Sequence, residues 1–384
     1  MRVVPHEPLE LVLGLPPLEL EAGAVVSSHD AAGWMWSSED DALRVGRGLP
    51  LDPDVDTVVL VHPLTATPRI HEPDGFWGAL AGKGRPLRPW AHRILSFNLL
   101  GSSFGSSGPL DPGFPTRVQD ARVPLPTPVA RGDLAFDEAK LPATVTPFDQ
   151  ARSLAAALEH LGIPRVRLMA GGSLGGMVVQ CFAWLFPERV HTAVSVAAPA
   201  ASTASMIGWN HVAREAILRD PTYPRAAVGL SVARQIARMT YRSPASLDLR
   251  QGRRTAGPAH EVSGAFSPRM PYRMATYLRF HGDAFAAAFA APCYVCLTLA
   301  MDHHDLARQA PGAALAFAKL RFFDVRLDTD TLVSAESQTA LRALFAERGA
   351  DVHAVRLETP YGHDGFLTDG GALLRSTFLA ALRP

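Results

Sequence analysis

Cysteine is scarce in this chain, with three residues among 384. Three cysteines cannot form a disulfide framework, and Cys293 with Cys296 makes one CxxC pair without the second pair of ligands that a structural zinc site needs. We expect buried thiols at helical spacing instead. The adjacent His303 and His304 diverge on a predicted helix, so they form no metal pair. The sequence therefore predicts no metal site.

The chain also has no net charge at pH 7, because 37 Lys and Arg residues balance 37 Asp and Glu residues. Without a basic surplus, no electrostatic field attracts nucleic acid or an anionic membrane. We therefore expect small-molecule substrates, no nucleic acid and no membrane partner. As a protein partner we expect a second copy of the chain in a homodimer.

No apolar segment of signal-peptide length opens the chain, since Pro5, Glu7 and Pro8 interrupt it. A cytoplasmic location is the expectation. Residues 168–187 carry no charge and reach the length of a membrane span. Their four glycines, with Ser173 and Gln180, fit a strand-turn-helix unit better, so we expect no span.

Apolar runs of strand character alternate with helical patterns along the chain, as a parallel sheet with helical crossovers requires. A hydrophobic content of 47% in 384 residues is ample for a large core. Strands are predicted at 57–61, 93–97, 166–169, 190–198, 320–327 and 352–357, and helices at 148–161 and 372–382.

The period-two pattern disappears after residue 198 for about a hundred residues. Residues 202–312 are mostly helical in pattern and are interrupted by prolines. We expect this segment to form a helical cap, or lid, inserted into the sheet domain. The α/β core then consists of residues 1–201 and 313–384.

One short motif carries most of the chemical information, Gly171-Gly172-Ser173-Leu174-Gly175-Gly176 between a predicted strand and a predicted helix. A serine on such a sharp turn needs flanking positions that tolerate almost no side chain, and glycine satisfies that demand. The start of the helix favours the negative charge that develops during acyl transfer. The pattern predicts a nucleophile elbow with Ser173 as the nucleophile.

An acid and a histidine follow the serine at the ends of later predicted strands. Asp330 lies just past the strand at 320–327, and His363 lies in the loop after the last strand. Asp328 competes with Asp330 on spacing alone. Carboxyl ends of parallel strands meet at one sheet edge, so the three groups can converge in the order Ser, Asp, His. We therefore predict an α/β-hydrolase fold, a mostly parallel sheet with helices on both faces and an inserted helical cap.

The chain resembles the homoserine O-acetyltransferase family of α/β-hydrolase-fold enzymes. The resemblance spans core and cap from about residue 57 onward. It rests on the elbow motif, on 161–163, 210–217 and 361–367, and on Gly229, Leu230, Ala233, Arg234, Thr240, Tyr241, Tyr277, Leu278, Gly282 and Phe285. These motifs together are far more specific than the elbow alone.

The resemblance implies roles for individual residues. Ser173 is the nucleophile, Asp330 rather than Asp328 is the acid, and His363 is the base. The backbone N–H groups of Leu64 and Leu174 form the oxyanion hole.

By the same matching, Arg234, Tyr241 and Asp364 hold the amino-acid acceptor. Free homoserine is a zwitterion, so a cap that excludes water must supply a cation for its carboxylate and an anion for its ammonium. Arg234 and Asp364 can supply them.

The resemblance implies acyl transfer from an acyl-CoA co-substrate, most simply acetyl-CoA, to homoserine or a similar hydroxy amino acid. This chemistry needs no bound cofactor. Some departures from the family pattern touch this expectation, such as Pro63 and Ala66 in the predicted oxyanion loop. The alternative is a carboxylesterase, which uses the same Ser, His and Asp but needs neither Arg234 nor Asp364 near the nucleophile.

Overall fold

A computed structural model of the protein describes residues 7–70, 72, 75–116, 141–255 and 272–383. Residues 1–6 of the predicted core and 256–271 of the predicted cap lie outside the described residues. The strands are β1 Leu9–Leu15, β2 Leu18–Glu19, β3 Val25–Val26, β4 His29–Trp36, β5 Thr57–Val61, β6 Arg93–Phe97, β7 Val166–Gly172, β8 Val190–Val196, β9 Arg321–Leu327 and β10 Asp351–Leu357. The helices are α1 Glu39–Gly46, α2 Pro147–His160, α3 Leu174–Leu185, α4 Ala204–Leu218, α5 Ala227–Tyr241, α6 Pro244–Arg250, α7 Arg273–Ala288, α8 Ala291–Asp302, α9 Ala314–Phe317, α10 Ala335–Glu347 and α11 Arg375–Ala381.

Eight of these strands form one sheet in the order β1, β4, β6, β5, β7, β8, β9, β10. Pairing is parallel from β6 to β10, whereas β4 runs antiparallel to both β1 and β6. The predicted α/β-hydrolase fold with a mostly parallel sheet is therefore confirmed. The parallel strands match the predicted strands to within a few residues.

The central strands are apolar throughout because both faces of the sheet are covered. All five residues of β5, Thr57–Val61, are buried, and β7 is buried at six of its seven positions. Continuous apolar runs are typical of parallel strands with helices on both faces. Strand β7 lies between β5 and β8, so its carboxyl end lies at the middle of the sheet edge.

The N-terminal strands β1 to β4 were not predicted. Strand β1 buries alternate residues, as an antiparallel strand with one covered face does. Its register is set by pairing along its whole length with β4, from Leu9 with Met35 to Leu15 with His29. The antiparallel strands extend the sheet beyond β6 and lie far from its central edge.

Six described α-helices, α4 to α9, lie between β8 and β9, and α4 to α8 fall within the predicted cap. Helix α5 packs against α4 and α7, and α8 packs against α4 and α5. Ten of the twelve residues of α8 are buried, and Cys296 on α8 joins a cluster with Leu20, Val26 and Leu100 of the sheet domain. The cap boundaries at residues 202 and 312 stay a prediction.

No single described helix is long and apolar enough to cross a membrane. Helices α7 and α8 together have the length and apolar composition of a membrane span, but the chain bends by 104° at the break between them. The uncharged stretch 168–187 forms β7, a turn and α3.

Candidate active site

Ser173 occupies the turn between β7 and α3. Its backbone has φ 56° and ψ −122°, a region that L residues rarely adopt. The Ser173 N–H donates to the carbonyl of Val196 on β8 at 2.9 Å, which ties the turn to the neighbouring strand. The strained turn lifts the hydroxyl out of the sheet edge, as the sequence predicts for a nucleophile elbow.

Glycine is required on both sides of this serine. A Cβ on Gly171 would overlap with the carbonyl of Gly175, and a Cβ on Gly175 would overlap with the carbonyl of Val61 on β5. Both obstacles are backbone atoms, which cannot rotate away. The close approach of β7, α3 and β5 therefore depends on two positions without side chains.

Ser173, His363 and Asp330 are brought together by three separate strand ends. The Nε2 atom of His363 lies 2.9 Å from the Ser173 hydroxyl, and its Nδ1 atom lies 2.7 Å from Asp330 Oδ2. A carboxylate accepts from Nδ1–H, which leaves Nε2 as the acceptor for the serine proton. This is the geometry of a serine nucleophile, its general base and an orienting acid.

The two candidate acids in the turn after β9, Asp328 and Asp330, have different hydrogen-bond partners. Asp330 Oδ1 accepts hydrogen bonds from the N–H groups of Leu332 and Val333, at 2.8 and 3.1 Å, so its other oxygen faces His363. Asp328 instead accepts from the N–H of Thr359 at 2.9 Å. The distances favour Asp330, as the family resemblance implies.

His363 is buried, and burial alone lowers the pKa of an imidazole. The charge and hydrogen bond of Asp330, with a smaller contribution from Asp364, outweigh that effect and raise the pKa of His363 above its ordinary value of 6.5. A proton taken from serine is therefore held more strongly than by a free imidazole, which suits a general base.

Two backbone N–H groups near Ser173 are candidates for an oxyanion hole. Leu174 is the first residue of α3, where an N–H has no partner within the helix. Leu64 follows β5, and neither its N–H nor that of Leu174 donates to a described residue. Preorganised donors at a helix start stabilise developing negative charge.

The buried His62 fixes the loop that carries Leu64. Its Nδ1 atom lies 2.9 Å from the Pro63 carbonyl, and its Nε2 accepts from the N–H of Leu99 at 3.2 Å. Burial lowers the pKa of His62 to about 4, so it is neutral at pH 7. The pattern of the sequence did not single out His62 for this role.

Arg234 extends from α5 of the predicted cap to the loop after β5. Its Nη1 donates to Thr65 Oγ1 at 3.2 Å, and its guanidinium lies 4.9 Å from the ring centroid of Phe285. Arg234 forms no ion pair within the described part of the chain, and burial lowers its pKa. The ring of Tyr241 lies 5.6 Å from that of His363. Tyr241 thus lies beside His363, and the guanidinium of Arg234 lies 6.0 Å from the centroid of the Tyr241 ring.

Asp364, which the resemblance assigns to the acceptor, also has protein partners in the structure. Its Oδ2 atom lies 3.0 Å from Arg238 Nη1 and 3.0 Å from Arg242 Nε. Sequence reasoning missed both arginines. The available signal was the interval of four residues from Arg234 to Arg238 and from Arg238 to Arg242, which predicts one face on a continuous helix. In the structure α5 ends at Tyr241, and Arg242 follows it with an extended backbone.

The described residues contain no group of three or more His, Cys, Asp or Glu side chains that could hold a metal ion. Cys293 and Cys296 are buried on α8, as predicted, and burial raises the pKa of Cys293 to about 11. His304 is buried between Gln180 and the Pro199 carbonyl, at 3.0 and 2.9 Å. These groups lie away from the candidate active site.

Residues 56–369 match the α/β hydrolase fold family. A homoserine O-acetyltransferase of Thermus thermophilus is 35% identical over 303 residues, which cover 77% of this chain and 69% of that protein. The chain belongs to the homoserine O-acetyltransferase family.

The family extends to more than one acyl group. A homoserine O-succinyltransferase of Bordetella pertussis is 31% identical over 371 residues, which cover 92% of this chain and 83% of that protein. The crystal structure of homoserine O-acetyltransferase from Staphylococcus aureus has the same fold, with a TM-score of 0.71 at 23% identity and coverage of 98% of this chain and 96% of that one. Membership of the homoserine O-acetyltransferase family makes this chain an enzyme, as the sequence predicts.

We predict that Asp330→Asn lowers the rate of nitrophenyl acetate hydrolysis by about 10⁴-fold, since the amide no longer holds the imidazole in the productive tautomer. The acid limb of the wild-type pH–rate profile has its midpoint above 6.5, because the rate is lost as His363 gains a proton. Without the Asp330 charge, burial dominates and the midpoint falls. The measurement is kcat/KM between pH 4.5 and 9.

Asp328→Asn is the matched control, since the same change is made two residues away on a carboxylate that does not contact His363. It leaves the pH midpoint in place. Ser173→Ala reduces the rate to background. Equal damage from both aspartate variants, or full activity in Ser173→Ala, would refute the triad assignment.

Proposed function

We propose that the protein transfers an acyl group from acyl-CoA, most simply acetyl-CoA, to the hydroxyl of homoserine or a similar hydroxy amino acid. The observation that carries this proposal is a guanidinium without an ion-pair partner among the described residues, Arg234, beside a Ser173, His363 and Asp330 arrangement. A cation that is partly withdrawn from water without an ionic partner is costly, and hydrolysis of an uncharged ester supplies no such partner. An acceptor with a carboxylate does. The names of the relatives support the same acceptor class.

The first half-reaction acylates the enzyme. His363 Nε2 takes the proton of Ser173, and the serine Oγ forms a bond to the thioester carbonyl carbon. The N–H groups of Leu64 and Leu174 stabilise the oxyanion of the tetrahedral intermediate. The carbon–sulfur bond then breaks, and the thiolate leaves with the proton that His363 returns. Asp330 stabilises the imidazolium throughout.

The second half-reaction returns Ser173 to its starting state. The acceptor hydroxyl gives its proton to His363 and attacks the acyl carbon, the bond to Ser173 Oγ breaks, and His363 protonates the serine. Arg234 binds the acceptor carboxylate and so orients the hydroxyl. Transfer outpaces hydrolysis when the acceptor is held close and water is excluded, which is the role we assign to the cap.

We also propose a homodimer that forms through α4 and α5. The exposed positions of these two helices carry no Asp, Glu, Lys or Arg, although 19% of the chain is charged. Trp209 is 47% exposed and Val228 is 74% exposed, whereas large apolar side chains rarely cluster on a monomer surface. In a dimer with a twofold axis the same surface of both subunits forms the interface, and an uncharged surface can pack against its own copy without repulsion. The exposed members are Ala204, Ser205, Ile207, Gly208, Trp209, His211, Val212, Ala227, Val228, Val232 and Met239.

A cytoplasmic location is part of the proposal. Cys181, Cys293 and Cys296 are all unpaired and buried. Thiols stay reduced in the cytoplasm, whereas secreted proteins use cysteines mainly in disulfides. The cysteine usage of this chain is consistent with a reducing compartment.

An acyl-enzyme is the first expected consequence of this mechanism. Acetyl-CoA alone shifts the mass of the intact protein by one acetyl group, and Ser173→Ala shows no shift. Initial rates at several fixed acceptor concentrations give parallel double-reciprocal lines, because free CoA leaves before the acceptor reacts. Intersecting lines without an adduct would indicate direct transfer instead.

Replacing Arg234 tests how the acceptor is bound. Arg234→Ala leaves a buried carboxylate of the acceptor unpaired, which costs roughly 2–5 kcal/mol. We predict that transfer to homoserine falls at least tenfold more than hydrolysis of nitrophenyl acetate, an uncharged ester. Both rates are measured on the same preparations.

Thr65→Val is the matched control, because it removes the hydrogen bond between Thr65 and Arg234 and keeps the cation. It retains the wild-type ratio of transfer to hydrolysis. If Arg234→Ala lowers both rates equally, Arg234 is structural. If wild-type protein hydrolyses esters and acylates no hydroxy compound, the carboxylesterase alternative replaces the transferase.

The dimer proposal predicts that Trp209→Glu yields monomers, since a charge at the contact must lose its hydration. Light scattering after size-exclusion chromatography measures the mass. Leu315→Glu is the control, because Leu315 is 88% exposed on α9, away from α4 and α5. A wild-type monomer, or a Trp209→Glu dimer, would contradict the proposed interface.

A further inference from the structure

Three helices of the predicted cap bring aromatic side chains around the guanidinium of Arg234. Its Cζ atom lies 4.9 Å from the centroid of the Phe285 ring on α7 and 6.0 Å from that of Tyr241 at the end of α5. The ring of Tyr294 on α8 packs edge-on against Phe285, with 6.0 Å between the two centroids. Arg234 donates one of its five N–H groups to Thr65, so its other donors remain for a ligand.

Tyr294 is buried, but its hydroxyl has no protein partner. The residue is 1% exposed, and its hydroxyl makes no hydrogen bond with any described residue. Among the described residues, side-chain polar atoms that lack both a partner and contact with solvent occur on Ser96 and Thr377, for example, but not on Tyr294. The small exposed part of Tyr294 therefore includes its hydroxyl, which faces a space that solvent can reach.

The hydroxyl of Tyr294 lies within the electrostatic reach of Arg234. Burial raises the pKa of Tyr294 to about 12, and the charges of Arg234 and Arg214 oppose that rise. Burial lowers the pKa of Arg234, whereas Tyr241 and Tyr294 act to raise it. At neutral pH the Tyr294 hydroxyl therefore keeps its proton, so it can donate a hydrogen bond beside the guanidinium.

A buried tyrosine hydroxyl without a protein partner requires an explanation. Such hydroxyls usually have hydrogen-bond partners, because a polar group that has left water without gaining one is costly. A phenylalanine at this position fills the same space at no such cost. Since no described part of the fold uses the hydroxyl of Tyr294, a bound ligand explains why this residue is a tyrosine.

We infer that Tyr294 is an acceptor-binding residue, whose hydroxyl donates a hydrogen bond to the acceptor carboxylate beside Arg234. A carboxylate accepts several hydrogen bonds at once, and those from a guanidinium and a neutral hydroxyl are compatible. The inference rests on the proposed acyl transfer and adds to it a residue on α8, a helix for which the sequence predicts no substrate contact. Recognition of the carboxylate then comes from two cap helices, α5 and α8.

Tyr294→Phe removes the hydroxyl and keeps the ring. Enzyme and acetyl-CoA are mixed with homoserine and an excess of 3-aminopropan-1-ol, which has a hydrogen atom in place of the carboxylate. Both acceptors react with the same acyl-enzyme, so the ratio of the two esters reports relative kcat/KM and is independent of acylation. We expect the variant to lower the proportion of homoserine ester to the other ester by about tenfold or more, since hydrogen bonds to charged groups are strong. An unchanged ratio overturns the inference.

Stability separates ligand binding from a structural role. Because the hydroxyl has no partner in the described fold, the Tm of Tyr294→Phe without substrate lies at or above that of the wild type. Tyr272→Phe is the matched control, since it removes the same group from a ring that is 42% exposed and contacts Arg253. The control keeps the wild-type ester ratio. A lower Tm in Tyr294→Phe together with equal losses for both acceptors would make Tyr294 structural and overturn the inference.

Binding distinguishes failure of this inference from failure of the proposed transfer. Calorimetry compares homoserine binding to Ser173→Ala and to the double variant that also carries Tyr294→Phe. If wild-type protein acylates neither acceptor but the double variant binds homoserine about tenfold more weakly, the transfer proposal fails and the role of Tyr294 holds. Equal affinity of the two proteins overturns the role of Tyr294 and leaves the transfer to be judged by its own assay.

Discussion

The close approach of β7, α3 and β5 at Ser173 is the constraint on which the rest of the site depends. Positive φ at Ser173 and the backbone contacts of Gly171 and Gly175 fix the nucleophile at the centre of the sheet edge. Every other group then has a required position, since His363 Nε2 must lie within hydrogen-bond distance of that hydroxyl. The carboxyl ends of parallel strands supply these positions, because β5, β9 and β10 all end at the same edge as β7.

Two adjacent residues after β10, His363 and Asp364, make contacts with different parts of the site. His363 turns inward to Ser173 and Asp330, whereas Asp364 turns to Arg238 on α5 and to Arg242 directly after that helix. Both carboxylates raise the pKa of His363, but the larger influence is that of Asp330, which makes the direct hydrogen bond. A single short loop thus raises the pKa of His363 and also supplies the ion-pair partner of two arginines.

Much of this arrangement could be predicted from the sequence, for physical reasons. Strands covered on both faces, such as β5 and β8, leave continuous apolar runs, and the glycines of the elbow mark a turn that few other sequences allow. Strands β1 and β4 escaped prediction because their antiparallel register depends on a distant partner. The partners of Arg238 and Arg242 escaped it for a related reason. Four-residue spacing predicts a shared helix face, but not that Asp364, more than a hundred residues later, lies opposite.

Helix α5 contacts two of the loops that surround Ser173. Through Arg234 it contacts the loop that carries Leu64, and through Arg238 it contacts the loop that carries His363, where Arg242 directly after the helix adds a second ion pair. A guanidinium without Asp364 would remain partly buried and unpaired, which costs more than the pair itself contributes. Arg238 and Arg242 therefore depend on the histidine loop for their ion-pair partner, and the same contacts hold that loop beside Ser173. One set of ion pairs thus keeps two buried cations paired and holds the histidine loop next to the serine.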